Sequence, residues 1–280
     1  MKIAAITNPQ SAGFWFPIWH GYYGGQFGND NLFVIAQQRY ASHFTPFELG
    51  GVISIGDFFD DLDRARVASE NIERLLGYYD LVVNTDTDEF LFADPGRYSC
   101  LAEYLNSTTA PYITAFGYDL IQGRNEEPLD LSRPILIEQR KFAYPITSMN
   151  KTCVTRVPMR WGRGFHFCSE RPEFEHLFLL HMKRADIEMQ LRWFSLMSEQ
   201  SLNGEKIIEY YRPDREKIEA YHEGVLKRRI VGGYENLVRT DFNTKFLSEI
   251  EFNQQVGIYY GKHAHEHVLV ELPEHFRGKL

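Results

Sequence analysis

The chain has 280 residues, a length typical of one large domain or of one domain with an appendage. Its 30 basic and 38 acidic side chains give a formal net charge of −8, which disfavours a protein that binds the phosphate backbone of nucleic acids. With 44% hydrophobic residues, 21 glycines and 12 prolines, the composition excludes wholesale disorder, a collagen-like chain and a low-complexity linker.

The cysteines and the hydropathy pattern indicate a reducing compartment and no membrane span. Cys100, Cys153 and Cys168 are far apart and form no C-x-x-C pair, so no disulfide scaffold is predicted. The apolar run at the N-terminus stops at Asn8-Pro9, too early for a secretory signal. No apolar stretch approaches about 18 residues. We therefore expect a cytoplasmic protein without a transmembrane segment, although peripheral membrane contact stays open.

The first ninety residues alternate between apolar runs and a helical pattern. Apolar positions spaced three and four apart predict a helix over 61–77, with Asp60 or Asp61 as its cap and Gly77 as its stop. Residues 11–28, rich in glycine and aromatic residues, allow no assignment. Strands are predicted over 2–7, 32–36, 52–55 and 81–85. This alternation predicts an α/β fold with a mostly parallel central sheet flanked by helices.

The remainder of the chain predicts more strands, a further helix and a more polar tail. We place domain 1 over 1–200 and a helical or mixed C-terminal extension over 201–280, packed on it. Helices are predicted over 186–197 and near 214–226. The further strands are predicted over 112–118, 134–138, 152–157, 176–182 and 256–260.

Two acidic residues, Asp86 and Asp88, follow the predicted strand over 81–85. In an extended chain their side chains project to the same side, at the strand end where open α/β sheets bind ligands. Two converging carboxylates repel each other unless a cation lies between them, and hard oxygen ligands select Mg²⁺ or Mn²⁺. The arrangement suits a metal-bound nucleotide diphosphate; the alternative is a solvated acidic turn. An EF-hand is disfavoured because Leu91 stands where its loop needs glycine.

The segment Asp86-Thr87-Asp88-Glu89-Phe90 resembles the D-x-D-E-F motif of GT-A-fold glycosyltransferases, particularly bacterial family 2-like proteins. Three later blocks, residues 150–156, 164–166 and 179–186, follow in the order found in such relatives. The resemblance spans about residues 1–195. The chain departs from the family at Asn8-Pro9-Gln10-Ser11, where many relatives carry a Met-Val-Arg-Asn-Glu-like run, so donor contacts are not carried over there.

The resemblance implies a Rossmann-like GT-A fold and a set of site residues. Asp88 would bind Mn²⁺ or Mg²⁺ directly, and Asp86 would lie near the metal or the donor ribose. A histidine would complete the metal site, His166 as first choice and His181 as second. Asp57 would contact the base or ribose, and Lys151 and Lys183 are candidates to hold the diphosphate. Asp119 is our candidate general base, with Glu170 as alternative, and inversion is the family default.

The predicted activity is the transfer of a sugar from a UDP- or GDP-sugar to a carbohydrate or lipid-linked glycan acceptor, in surface polysaccharide assembly. One alternative is a GT-A-like domain that binds nucleotide or carbohydrate without turnover. A second alternative is a metal-dependent hydrolase or oxygenase built on His263, His265 and His267, because three histidines can hold zinc. The polar surroundings of these histidines favour a solvated turn instead.

Overall fold

The computed structural model describes residues 1–9, 13–56, 60–199, 214–238, 240–264 and 266–280. It divides the chain into two compact units, each built from separate stretches of sequence. Unit 1 comprises Met1–Phe116, Asn150–Leu179 and Glu249–Lys262, and unit 2 comprises Gly117–Met149, Leu180–Ser248 and His263–Leu280. These units differ from domains separated at residue 200. The predicted boundary itself falls beside residues 200–213, outside the described residues, and stays a prediction.

The strands and helices alternate in the first part of the chain, as predicted. The helices are α1 (Phe16–Phe27), α2 (Asp61–Leu75), α3 (Leu101–Ser107), α4 (Ile187–Glu199), α5 (Arg215–Leu226), α6 (Glu235–Val238) and α7 (Thr240–Ser248). The strands are β1 (Ile3–Thr7), β2 (Leu32–Gln37), β3 (Gly51–Ile55), β4 (Leu81–Asn84), β5 (Glu89–Ala93), β6 (Tyr112–Ile121), β7 (Phe142–Pro145), β8 (Thr152–Thr155), β9 (Phe174–Arg184), β10 (Arg229–Val231), β11 (Glu251–Asn253), β12 (Ile258–Tyr260) and β13 (Val268–Glu271).

Unit 1 is built on a parallel sheet with strand order β3-β2-β1-β4. Strand β1 pairs in parallel with both β2 and β4, and β2 pairs in parallel with β3. Strand β8 then pairs antiparallel with β4 and with the first residues of β6. The α/β prediction with a Rossmann-like parallel sheet is therefore confirmed.

Helices α1 and α2 cover opposite faces of this parallel sheet. The buried side of α2 packs against Ala4, Ile6 and Val82. On the other face, Trp19 of α1 donates a hydrogen bond to the Thr85 hydroxyl (2.9 Å). Because both faces are covered, every residue of β1 and β4 is buried, as the apolar sequences of these strands predict.

Unit 2 contains the second half of β6, which pairs antiparallel with β7. Strand β7 pairs antiparallel with β13, and β13 pairs in parallel with β10. Helices α4 to α7 belong to this unit, and the predictions of helices over 186–197 and 214–226 are confirmed by α4 and α5. Among the described residues, every helix is too short or too polar to cross a bilayer.

The predicted strand over 134–138 is wrong. Residues 134–140 form a turn with an isolated bridge between Leu136 and Arg140, and Ile137 has a φ of 73°. The Arg140 side chain is 1% exposed and donates to the carbonyl oxygens of Gln139 and Glu127, both at 2.8 Å. Backbone hydrogen bonds close this turn in place of a strand ladder: the Ile137 N–H donates to the Arg140 carbonyl oxygen (2.8 Å), and the Arg140 N–H donates to the Ile135 carbonyl oxygen (2.9 Å).

Candidate active site

The carboxyl ends of β1 and β4 lie side by side where the strand order of the sheet reverses. From β1 the chain proceeds outward to β2 and β3, then returns through α2 to β4 on the other side of β1. In open α/β sheets, the crevice at such a reversal is where ligands bind. Asn8 directly follows β1, and Asp86 follows β4 by two residues. Both residues therefore lie at the position that the fold offers to a ligand.

The motif Asp86-Thr87-Asp88-Glu89 forms a tight turn between β4 and β5. The Glu89 N–H donates to the Asp86 carbonyl oxygen (3.1 Å), and the Asp86 N–H donates to Glu89 Oε2 (3.1 Å). Asp88 occupies the third position of this turn and is half-buried, whereas Glu89 is 2% exposed. The turn is therefore fixed by both a backbone and a side-chain hydrogen bond.

Two cationic side chains hold the Asp86 carboxylate. A guanidinium nitrogen of Arg64 pairs with Asp86 Oδ1, and Lys151 Nζ lies 3.2 Å from Asp86 Oδ2. Lys151 also pairs with Glu89 Oε1 and is only 3% exposed. The sequence predicted Lys151 as a ligand of the diphosphate. In the structure its ammonium contacts two carboxylates of the acidic turn, and its contact with a diphosphate stays a prediction.

Helix α2 presents Arg64 to this turn. The Asp60 side chain caps the helix by accepting from the N–H groups of Leu62 (2.8 Å) and Asp63 (3.3 Å), which confirms the predicted cap. Arg64 Nε donates to Asn8 Oδ1 (2.9 Å), and its guanidinium lies 4.6 Å from the ring centre of Phe165. Arg64 thereby bonds to a residue that follows each strand, Asn8 after β1 and Asp86 after β4.

Buried polar atoms at the same strand ends have no hydrogen-bond partner among the described residues. They are Nδ2 of Asn84 in β4 and Oγ1 of Thr7 in β1, with 6% and 0% of the residue exposed. Alternation along β4 puts the side chain of Asn84 on the same sheet face as Ile6 and Val82, which α2 covers. An unsatisfied buried donor costs about 1–3 kcal/mol, which a ligand acceptor at this position would recover.

Unit 2 contains a second charged cluster, which joins Asp119 of β6 to two residues of β9. His181 Nδ1 lies 2.6 Å from Asp119 Oδ1, and Arg184 Nε donates to Asp119 Oδ2 (2.9 Å). Burial by itself raises the pKa of Asp119, but His181 and Arg184 outweigh it and lower the pKa well below its ordinary value. The structure thus brings together two predicted site residues, Asp119 and His181.

Lys183 of unit 2 lies close to aromatic rings of α4. Its Nζ is 4.4 Å from the ring centre of Trp193 and 5.1 Å from that of Phe194. Such cation–π contacts stabilise an ammonium group at a protein surface. The predicted contact of Lys183 with a diphosphate remains a prediction.

The structure describes three of the remaining candidate residues, His166, His263 and His267. His166 is half-buried and folds back over Gly164, so that a Cβ on this glycine would lie 2.6 Å from His166 Nε2. Asp57 and His265 lie outside the described residues. His263 and His267 are exposed and belong to no regular element. The roles predicted for these residues are untested.

The described residues do not fit a metal held by Asp86. Both of its carboxylate oxygens are engaged by Arg64 and Lys151. Within the described ranges, no group of three histidine, cysteine or acidic residues is arranged to hold a metal ion. Side-chain cations therefore neutralise the Asp86 carboxylate, and the predicted convergence of Asp86 and Asp88 on a cation stays a prediction. Metal-ligand roles for Asp88, His166 and His181 stay predictions.

Sequence reasoning missed Arg64 as a residue of this site. Arg64 stands near the start of a helix that begins beside the sheet end, a signal that is visible in the sequence. The same helix also contains Arg66, which is 56% exposed and pairs with Asp63 and Glu70. The amphipathic pattern of α2 separates the two arginines, but their contacts follow only from the packing of the helix.

Comparisons with known proteins assign no family. No protein-family profile matches the chain, and no curated protein matches it. Among solved structures, the chain is similar to a mannose-1-phosphate geranyltransferase from Thermus thermophilus, with a TM-score of 0.32 and 10% sequence identity. The match covers 79% of this chain and 68% of that chain. At this TM-score the likeness supports no statement about ligand or reaction.

Proposed function

We propose that the protein is a glycosyltransferase that transfers a sugar from a nucleotide-diphosphate sugar to a hydroxyl group of a carbohydrate or lipid-linked glycan. The observation that carries this proposal is the acidic turn Asp86–Glu89, which follows β4 at the reversal of strand order in unit 1. Polar groups from β1, β4 and α2 meet at this turn, as a ligand-binding crevice of an α/β sheet requires.

Arg64 is the residue that we assign to the diphosphate. Breaking the bond between sugar and nucleotide builds negative charge on the leaving phosphate oxygens. A guanidinium group binds such oxygens through two parallel, charge-assisted hydrogen bonds. Arg64 is already held in place by Asn8 and Phe165, so little side-chain freedom is lost when the phosphate binds.

Asp119 remains our candidate general base, with inversion of the anomeric carbon as the predicted outcome. A carboxylate whose pKa is lowered by His181 and Arg184 accepts a proton weakly. To accept a proton, Asp119 must therefore exchange one of these two partners for the hydroxyl group of the acceptor substrate. Mn²⁺ or Mg²⁺, if bound through Asp88, would supply Lewis-acid stabilisation of the leaving phosphate.

The test is nucleotide-dependent thermal stabilisation of the full chain with UDP, GDP and CDP, each with Mn²⁺ and with EDTA. A ligand that binds only the native state raises the melting temperature, and at about 100 times its Kd it adds about 2.7 kcal/mol. We expect a shift with at least one nucleotide. The absence of a shift with every nucleotide, both with metal and with EDTA, would contradict the proposal.

Two arginines of α2 make a matched pair for the same test. Arg64→Met should weaken nucleotide binding about tenfold or more, because it removes hydrogen bonds to a charged ligand. Arg66→Met should leave binding unchanged, because Arg66 lies on the exposed side of α2 and pairs with Asp63 and Glu70 of the same helix. Equal effects of the two substitutions on nucleotide affinity would show that Arg64 does not bind the nucleotide.

Donor hydrolysis separates an enzyme from the alternative, a GT-A-like domain that binds without turnover. An active transferase releases the nucleotide from its cognate nucleotide-sugar slowly even without acceptor. We expect Asp88→Ala to abolish this release while the melting temperature stays within a few degrees of the wild type. Nucleotide binding without release from any nucleotide-sugar would favour the binding domain.

A further inference from the structure

The buried pair Glu89–Lys151 is the part of unit 1 whose contacts the proposed function leaves unexplained. Both side chains are almost completely buried, Glu89 with 2% and Lys151 with 3% exposed. Burying two charges is unfavourable unless each is paired and hydrogen-bonded, and replacement by an apolar pair is often neutral for stability. A pair of this kind beside a candidate site therefore indicates a requirement other than stability.

The contacts of the pair converge on Asp86. Glu89 accepts the Asp86 N–H with Oε2 (3.1 Å) and pairs with Lys151 through Oε1. Lys151 in turn donates to Asp86 Oδ2 (3.2 Å). The backbone and the carboxylate of Asp86 are thus held by two different members of one buried network.

The pairing of β4 with β8 brings Lys151 to the end of β4 at which the acidic turn begins. Strands β4 and β8 pair antiparallel, with Val82 facing Thr155 and Val83 facing Val154. Thr152, the first residue of β8, therefore lies at the same end of this pair as Asn84, the last residue of β4. Lys151 directly precedes β8, and Asp86 follows β4 by two residues. The ammonium group therefore reaches the turn from a neighbouring strand, whose position is fixed by its pairing with β4 and β6.

We propose that Lys151 and Glu89 are positioning residues that set the orientation and the charge balance of Asp86, and through it the affinity of this site for a nucleoside diphosphate. This inference rests on the proposed function. Lys151 itself does not touch the phosphate: it takes the place of a metal ion as the counter-charge of Asp86. Lys151 then keeps the Asp86 carboxylate neutralised when Arg64, the other partner of Asp86, donates to the ligand.

The experiment compares Lys151→Met, the double variant Glu89→Met/Lys151→Met and the control Lys141→Met. Lys141 is 49% exposed and belongs to unit 2. Melting temperature and affinity for UDP, GDP and CDP are measured for each protein, with Mn²⁺ and with EDTA. Lys151→Met leaves Glu89 buried without its cation, so both quantities should fall. The double variant should regain the melting temperature while its affinity stays lowered about tenfold.

A stabilising role and a positioning role predict different results for the double variant. Recovery of affinity together with the melting temperature would overturn the proposal, because Lys151 would then act on stability alone. Unchanged affinity in a folded Lys151→Met protein would overturn it as well. Lys151→Arg, which keeps a cation at this position, should retain more affinity than Lys151→Met, and Lys141→Met should match the wild type.

A ligand-independent measurement keeps this inference separate from the proposed function. Amide hydrogen exchange of residues 85–89 should be faster in the double variant than in the wild type, because the Asp86 N–H loses its carboxylate acceptor. If the wild type binds no nucleotide, the proposed function fails, and the exchange rates still decide whether the pair holds the turn. Unchanged exchange in the double variant would then overturn the positioning role.

Discussion

Single charged residues inside this protein are held by partners that are far away in sequence. Lys151 lies 65 residues from Asp86, and His181 lies 62 residues from Asp119. Each residue was visible in the sequence as a candidate, because acidic residues at strand ends and basic residues near them are recognisable. Their partners were not, because a pairing over such a distance depends on how strands align.

His222 allows a prediction of pH dependence at the residue scale. It is 2% exposed in α5, with Nε2 at 3.2 Å from the Gln190 carboxamide oxygen. Burial, together with Arg184, lowers the pKa of His222 to about 4; Arg140 also lowers it, and Asp119 acts in the opposite direction. The folded protein therefore keeps this imidazole neutral where the unfolded chain, with a pKa of about 6.5, binds a proton.

The free energy of unfolding should consequently fall as the pH is lowered from about 6.5 to about 4, because the unfolded state takes up the proton. In His222→Gln the loss between pH 7 and 4.5 should be smaller by about 2 kcal/mol. Urea unfolding at several pH values measures both curves. The lowered pKa of Asp119 acts at lower pH, below its unfolded value of about 3.9, so the two effects separate. Identical pH dependence in both proteins would contradict the assignment.

At the scale of elements, local chemistry decides where α2 begins and tertiary packing decides that α1 forms. The Asp60 cap and the spacing of apolar residues predict α2 nearly to its observed bounds, Asp61–Leu75. Helix α1 contains three glycines after its first turn, which are unfavourable to a helix, so its sequence allowed no assignment. It is stabilised by Phe16, Trp19 and Tyr23, which are buried on one face.

The Asp60 cap of α2 gives a prediction about the stability of the protein. Asp60→Ala should lower the free energy of unfolding by about 1 kcal/mol, because two N–H groups of the first turn lose their acceptor. The control Glu73→Ala, at an exposed position of the same helix, should change it by less than about 0.5 kcal/mol. Chemical denaturation of both variants measures the difference, and equal effects would show that the cap contributes nothing.

For the whole molecule, the charge balance yields a prediction that requires no structure. With a net charge of −8, the protein should not retard a short DNA or RNA duplex at about 0.15 M salt, because few counterions would be released on binding. Gel retardation with increasing protein concentration tests this expectation. Retardation that weakens steeply with added salt would reveal a cationic surface that the net charge conceals.

The α/β alternation, the cap of α2 and the acidic residues that follow β4 could be predicted from the order of residues alone. These features depend on neighbours within a few residues, through side-chain alternation, helical spacing and hydrogen bonds of the turn. Three other features depend on the folded chain: Arg64 and Lys151 meet at Asp86, His181 and Arg184 hold Asp119, and residues 134–138 form a turn. Strand order and register create these contacts, and a linear pattern of residues does not encode either one.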